Sequence, residues 1–211
     1  MSKLKFPHAS GNSMSIGAPA TNPASDLELK LPATIGTAGQ YLTVDGSGNL
    51  VWADPPGITM VDTFRNTTSV TGNRDPLENF ERSDDATSGF IGTGMTYSSG
   101  IFTFPETGIY LCEFQLSCFL AGDEREIQGM IHVSSDSGSN YDEVGNSRMH
   151  IKQAESSNSH SCCIASCVVD VTNASNFRVK AKVDTGGSTV YSNGNTNADE
   201  TYFRFIRLGA T

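Results

Sequence analysis

The chain reads as an all-β protein, a jelly-roll sandwich with an extended N-terminal β-arm. Gly, Ser, Thr and Asn interrupt it at short intervals, and no helical periodicity runs through it. From Ile58 onward, apolar residues alternate with polar ones in runs of strand length. Roughly nine such runs, separated by Ser/Gly/Asn/Asp turns, imply a sandwich or jelly roll. At 211 residues the chain suits one medium domain plus an extension, or two small domains.

The arm comes first. Residues 1–57 are rich in Gly, Pro, Ala, Ser and Asn and hold only short strand candidates. They end at Asp54-Pro55-Pro56-Gly57, a stiff breaker that marks the boundary with a second domain, 58–211. Within the arm, Gly39 to Ala53 (GQYLTVDGSGNLVWA) reads as one hairpin. Its strands QYLTV and LVWA are joined by Asp45-Gly46-Ser47-Gly48-Asn49, which supplies the φ > 0 positions of a tight reversal. A lone hairpin with one Trp buries too little apolar surface to stand by itself. It needs a partner, most simply another copy of itself, so Trp52 and Leu50 are expected at an interface between copies. A free tail of this composition would be disordered, so contacts with other chains are expected to pin it. Leu4, Phe6, Pro7 and His8 are the candidate anchoring residues.

Together with the preceding GNSMSIGAPATNPASDLELKLPATIGTAG, this hairpin resembles the N-terminal β-modules of tailed-bacteriophage fibres and marine-phage virion proteins. The matching positions are Gly11, Ala18-Pro19, Leu29-Lys30-Leu31-Pro32, Gly36-Thr37, Gly39-Gln40, Leu42, Asp45-Gly46, Gly48-Asn49-Leu50 and Trp52. The resemblance implies a segment that docks on a particle and intertwines with its copies.

In the second domain the clearest strands are ITMVDTF, GIFTF, GIYLCEFQLSCFL, EIQGMIHVSS, SRMHIK, SCCIASCVVDV, NFRVKAKV, STVYS and ETYFRFIRL. NFRVKAKV is the cleanest half-buried one: Phe177, Val179, Ala181 and Val183 point one way, Arg178, Lys180 and Lys182 the other. The last strand differs. Phe203 and Phe205 share one face, while Tyr202, Ile206 and Leu208 share the other with Arg204 between them. A strand apolar on both faces is covered on both faces. One cover is the core; the other is expected to be a further subunit, with Tyr202, Ile206 and Leu208 at the contact.

The five cysteines, Cys112, Cys118, Cys162, Cys163 and Cys167, are odd in number and lack metal-type spacing, which argues against a disulfide framework. Cys112 and Cys118 fall in phase with Tyr110, Phe114 and Leu116, and Cys163 and Cys167 with Ala165, Val169 and Val171, as small buried hydrophobes do. A net charge of −9 and a pI near 4.8 argue against nucleic acid or an anionic membrane surface as the main partner. No run of about 18 apolar residues is present to cross a bilayer. MSKLKFPHASG lacks the apolar region of a secretory signal.

From Met95 the chain reads MTYSSGIFTFPETGIYLCEF, with Tyr97, Gly100, Phe102, Pro105, Gly108, Tyr110 and Phe114 at fixed offsets. This is similar to the central signature of the globular heads of the complement q-subunit and tumour-necrosis-factor superfamily. ENFER, Glu78 to Arg82, stands where that family has a short Asn-containing strand, and ETYFRFIRLG resembles its closing strand, with Arg204 in place of a small residue. The resemblance implies a ten-stranded jelly roll packed as a homotrimer about a threefold axis.

Catalytic chemistry finds little support. The histidines are His8, His132, His150 and His160; His132 and His150 fall on the outward phase of their strands, where solvation is expected. No nucleophile elbow precedes a helix, and the glycines lack a phosphate-loop context. No cofactor is expected. Calcium is the weaker alternative at Asp136-Ser-Gly-Ser-Asn140-Tyr-Asp142-Glu143, whose oxygen donors alternate, or at the acidic turns Asp123-Glu124-Arg125-Glu126 and Ser83-Asp84-Asp85. All three read first as solvated turns. Asn66 and Asn173 match glycosylation acceptors but are discounted without a signal. For receptor binding the candidates are distal loops carrying Tyr141, Tyr191, Asn193, Asn195 and Asn197, whose rings and amides suit sugar recognition.

These readings converge on a non-enzymatic phage virion protein, assembled in the host cytoplasm, with a trimeric outward knob for host attachment. Its expected partners are itself, capsid or tail proteins, and a host-surface glycan or protein. A capsid decoration protein that stabilises the shell is the alternative. A free trimeric lectin- or cytokine-like module is the second.

Overall fold

Alternating apolar residues become the inward rows of two facing sheets, and the turn-rich segments become the loops between them. The computed structural model describes all residues except 1–2, 8–9, 18–19, 22, 25–27, 55–56, 155 and 188, and no side chains at 3–6, 13–15 and 17. His8, the Ala18-Pro19 bend and the side chains of Leu4 and Phe6 therefore lie outside the described residues; Pro7 is exposed.

The chain divides into two units, Met1–Pro56 and Gly57–Thr211. In the first, β1 (Lys3–Pro7) pairs antiparallel with β2 (Ser13–Gly17), and β3 (Tyr41–Val44) with β4 (Leu50–Ala53). The β3–β4 turn closes on one carboxylate. Asp45 accepts from the backbone N–H groups of Ser47 and Asn49, both at 2.8 Å, and from Asn49 Nδ2 at 2.9 Å. These bonds, the Asn49 amide first, hold the Asp45 carboxyl below the usual range. Gly48 takes φ +84°, as a tight reversal requires. The register sets Leu42 opposite Trp52 and Val44 opposite Leu50, placing all four on one face. Trp52 packs its ring on Gly36, where an added Cβ would lie 2.6 Å from it, and donates from Nε1 to the Thr34 carbonyl at 2.8 Å.

The second unit is a two-sheet sandwich. Its strands are β5 (Met60–Asn66), β6 (Val70–Thr71), β7 (Phe80–Arg82), β8 (Thr96–Ser98), β9 (Ile101–Thr103), β10 (Gly108–Leu120), β11 (Glu124–Ser134), β12 (Asp142–Ile151), β13 (Ser159–Val171), β14 (Arg178–Asp184), β15 (Tyr191–Ser192) and β16 (Tyr202–Gly209). One sheet has seven strands, in the order β6-β15-β10-β16-β5-β7, with β13 on the other edge of β10. The second has five, in the order β12-β11-β14-β9-β8. The resemblance implied ten strands; the two-residue strands β6 and β15 bring the described number to twelve. They extend the large sheet beyond the point where β16 stops pairing with β10.

The core is aromatic. Tyr110, Cys112, Phe114, Leu116 and Cys118 on β10 and Phe203 and Phe205 on β16 face Ile127, Ile131, Val179, Ala181 and Val183 of the smaller sheet, all at 0% exposure. Phe102 is the hub, with ring centroids 5.1 Å from Phe64 and Phe205, 5.4 Å from Phe203 and 4.8 Å from Tyr97. Such tilted pairs exceed their area burial by about 0.5–1.5 kcal/mol each. All five cysteines are free thiols. Cys112 stands directly opposite Cys167, and the hydrogen bond between them, together with burial, pushes the Cys112 thiol well up.

Two charged clusters tie the β5–β7 edge. Asp62, fully buried, accepts from Arg82 Nε at 2.8 Å and Nη2 at 2.9 Å and from the Met95 N–H at 2.7 Å. Arg65, 1% exposed, reaches Glu81 at 2.9 Å, Asp85 at 2.6 Å, and Asp84. Asp84 and Asp85 are thus not the purely solvated turn that the sequence suggested: a buried guanidinium holds both. The Asn66 side chain is likewise buried, donating to the Glu78 carbonyl at 2.6 Å.

Candidate functional site

Strand alternation on β10 turns Ile109, Leu111, Glu113, Gln115, Ser117 and Phe119 away from the core. The neighbouring registers align three further strands with them. Val168 of β13, Leu111, Ile206 of β16 and Val61 of β5 form one cross-strand row on the outer face of the seven-stranded sheet. Val168 is 62% exposed, Leu208 56% and Ile164 48%, while Leu111, Ile206 and Val61 are half-buried. Hydrocarbon therefore faces outward across four strands, the pattern that marks an interaction surface.

One polar cluster interrupts this face. Glu113 accepts from the Tyr202 hydroxyl at 2.9 Å and from Arg204 Nη1 at 3.3 Å, and the Arg204 guanidinium lies 4.6 Å over the Tyr202 ring. Tyr202 is consequently only 8% exposed. Its ring is covered by its own chain, so of the three expected contact residues on β16 it offers the least free surface, and Leu208 the most.

The outer face of the five-stranded sheet has the opposite chemistry. Lys180 pairs with Asp75 at 2.6 Å and lies 4.3 Å from the Tyr141 ring; Lys182 sits 3.8 Å from Asp75. Arg148 pairs with Glu126 at 2.9 Å. His132 keeps its outward phase but is not solvated. Its side chain is 13% exposed, 3.9 Å from Glu143, and burial followed by the Lys182 charge lowers its pKa. Lys180 is its direct cross-strand neighbour, and Lys182, opposite Met130, lies one row along on the same face.

The receptor-binding candidates do not gather at one end. Met60 pairs with Arg207 and Ile109 with Gly209, so the unit begins and ends at the Gly108 end of β10. The loop carrying Tyr141 follows Ser134 and is bonded to Asn176, also at this end. Tyr191 lies at the far end, stacked on Phe119 with centroids 4.9 Å apart and planes 6° apart. Its loop is internally braced: Glu200 accepts from Asn193 and, at 2.7 Å, from Asn195 Nδ2, and Asn195 Oδ1 accepts from the Asn197 N–H at 2.8 Å. Two of the three expected sugar-binding amides are thus committed to loop closure, leaving Asn197 and Tyr191 exposed.

The acidic loop is also self-closed. Asp136 accepts from Ser134 Oγ at 2.7 Å, the Asn140 N–H at 2.9 Å and Asn140 Nδ2 at 2.7 Å, which drops its carboxyl to about 2. No group of three or more His, Cys, Asp or Glu among the described residues is arranged to hold a metal ion. No described helix is long and apolar enough to cross a membrane.

No family model matches the chain, and no curated protein matches it. Solved structures similar to this chain include the following two. The Eiger TNF of S. frugiperda aligns with a TM-score of 0.56 at 14% identity, over 74% of this chain and 96% of that one. Murine APRIL at pH 5.0 aligns with a TM-score of 0.52 at 11% identity, over 71% and 98%. The fold is a TNF-like jelly roll. At these identities the likeness concerns architecture alone.

Of this apolar face the sequence pattern singles out Ile206 and Leu208, but not Val61, Leu111, Ile164 or Val168. Ala165, Val169 and Val171 mark the inward phase of β13, and Ile164 and Val168 occupy the outward phase of the same strand. The signal was available: SCCIASCVVDV is apolar on both phases, as the closing strand is.

Proposed function

We propose that this chain is a non-enzymatic structural and binding protein of a tailed-phage virion. Three copies pack the outer faces of their seven-stranded sheets around a shared axis to form a knob. The first unit joins the knob to capsid or tail proteins, and the far end of the sandwich meets the host surface. The observation that carries the reading is the hydrocarbon row Val168–Leu111–Ile206–Val61, extended by Leu208 and Ile164, on a sheet whose inner face already fills the core. Three sites on one rigid knob, and several knobs on one particle, raise effective affinity without any strong single contact.

The first unit favours a particle component over a freely diffusing module. Leu29 is 64% exposed, Leu31 77% and Ile35 94%, and its small hairpins leave these side chains uncovered. Such a segment calls for an external surface on which to bury them.

The full-length chain should run at three times its 22.5 kDa mass in mass photometry and light scattering. Antibodies raised against it should label intact virus particles and block their adsorption to cells. A monomer at micromolar concentration would remove the trimer, and unlabelled particles would remove the virion role.

A further inference from the structure

Where β11 begins and β12 ends, the outer edge of the five-stranded sheet forms a shallow groove of about 380 Å³, lined by Asp123, Glu124, Arg125, His150, Ile151 and Lys152. It continues into a second groove of about 410 Å³ bounded by Arg125, Glu126, Arg148 and His150. Glu124 pairs with Ile151 in register, so the groove lies at the far end of the sandwich, away from where the unit starts and finishes. It is also on the opposite sheet from the hydrocarbon face, so packing of that face leaves the groove open.

Its charges are distinctive. Of the eleven Lys and Arg residues of the second unit, only Arg74, Arg125, Lys152 and Arg178 lack an ion-pair partner among the described residues. Two of those four, Arg125 and Lys152, line this one groove, and His150 lines it with them. The neighbouring carboxylates are engaged with their own chain. Asp123 Oδ1 accepts the Gln153 N–H at 2.6 Å, Glu124 Oε1 accepts the Arg125 N–H at 2.9 Å, and Glu126 Oε1 is held by Arg148 at 2.9 Å. Each of these bonds fixes a carboxylate and leaves its second oxygen able to accept a hydroxyl.

We propose that this groove binds an acidic saccharide. One carboxylate or sulfate group sits between the Arg125 guanidinium and the Lys152 ammonium, and sugar hydroxyls donate to Asp123 and Glu124. Arg125 supplies the planar fork that matches a two-oxygen acid. The open, shallow shape, with charged head groups set on hydrocarbon stems, suits an exposed sugar chain, whose rings are apolar and whose substituents are polar, better than an enclosed ligand. The inference rests on the host-attachment reading and names the ligand class for it.

The test uses the full-length chain with three tetrasaccharides, titrated by calorimetry: a hyaluronate fragment (carboxylate), a heparin fragment (sulfate) and a neutral chitin fragment. One or both acidic probes should bind, and the two arms identify the acid group. R125A/K152A should weaken that binding at least tenfold with circular dichroism unchanged, since both side chains are exposed. Hydrogen–deuterium exchange on the unaltered chain should show protection over 122–126 and 148–153 with the acidic probe. Equal binding of the neutral probe, no binding of either acidic probe, or unchanged binding by R125A/K152A overturns the proposal. Host-cell adsorption that is equal for R125A/K152A and the parent chain would overturn it while leaving host attachment standing. No adsorption by the parent chain would instead remove the host-attachment reading.

Discussion

Along Val168, Leu111, Ile206 and Val61 the seven-stranded sheet turns one hydrocarbon after another outward; along Glu143, His132 and Lys180 the five-stranded sheet turns out one polar or charged group after another. Both faces come from the same alternation of strand residues, and both back onto the same core. On the proposed reading the contrast follows from what each face meets. The charged face disposes of its ions in pairs such as Lys180–Asp75 and Arg148–Glu126, as a face toward water does. The apolar face carries few charges and keeps those that satisfy one another, as Glu113 and Arg204 do with the Tyr202 hydroxyl, the composition of a surface that packs on protein. At the margin of the apolar face the charges go under the surface, where Arg65 gathers Glu81, Asp84 and Asp85.

Substitutions can break this contrast, and the largest effect is expected at its border. Arg65→Leu removes the buried partner of three carboxylates that are themselves 37–75% exposed, and should cost about 2–4 kcal/mol in urea denaturation, less than stranding a fully buried charge because water still reaches the carboxylates. A loss under about 1 kcal/mol would mean that the cluster behaves as a surface one. Next comes the apolar face itself. Val168→Glu leaves the core untouched but puts a charge on the most exposed member of the contact row. It should weaken assembly at least a hundredfold, about 2.7 kcal/mol, seen as a fall to monomer mass with the unfolding midpoint of the isolated protomer nearly unchanged. Retention of the assembled mass would show that the contact lies elsewhere.

On the charged face the effects shrink. Asp75→Asn removes the partner of Lys180 and Lys182 and should cost no more than about 1 kcal/mol, because the pair is open to water on one side. The smallest effect sharpens the contrast through pH. His132, faced by Lys182, Lys180, Asp75 and Glu143, has a folded pKa below its ordinary value, with burial as the main cause. A histidine held neutral by the fold binds its proton more readily once unfolded, so its contribution is present above the unfolded pKa of about 6.5 and lost as pH falls below it. The urea midpoint should therefore drop between pH 7.5 and 5.5, and His132→Gln should reduce that drop. An identical drop in the variant would assign the pH dependence to other groups.

Legibility in the sequence followed the range of the interaction. The β3–β4 hairpin was readable because its turn is local: Asp45, Gly48 and Asn49 close it within five residues. The inward phase of β10 and of β14 was readable because alternation is a property of one strand at a time. The ion clusters were not. Arg65 meets Asp84 and Asp85 some twenty positions away, across a strand pairing that no local pattern announces. The amides of the far-end loop looked free for a ligand because nothing local shows that Glu200 returns to hold Asn193 and Asn195.

By itself the sequence determined the class of structure, the inward-facing rows and the doubly apolar closing strand, since period-two patterning fixes which side chains share a face. The tertiary structure alone decided which faces stand beside one another: that Val168 joins Leu111 and Ile206, that Tyr141 and Tyr191 lie at opposite ends, and that Arg125, His150 and Lys152 share a groove. The physical reason is that a strand carries its own alternation, while strand order and register are settled by packing energy summed over the whole sandwich.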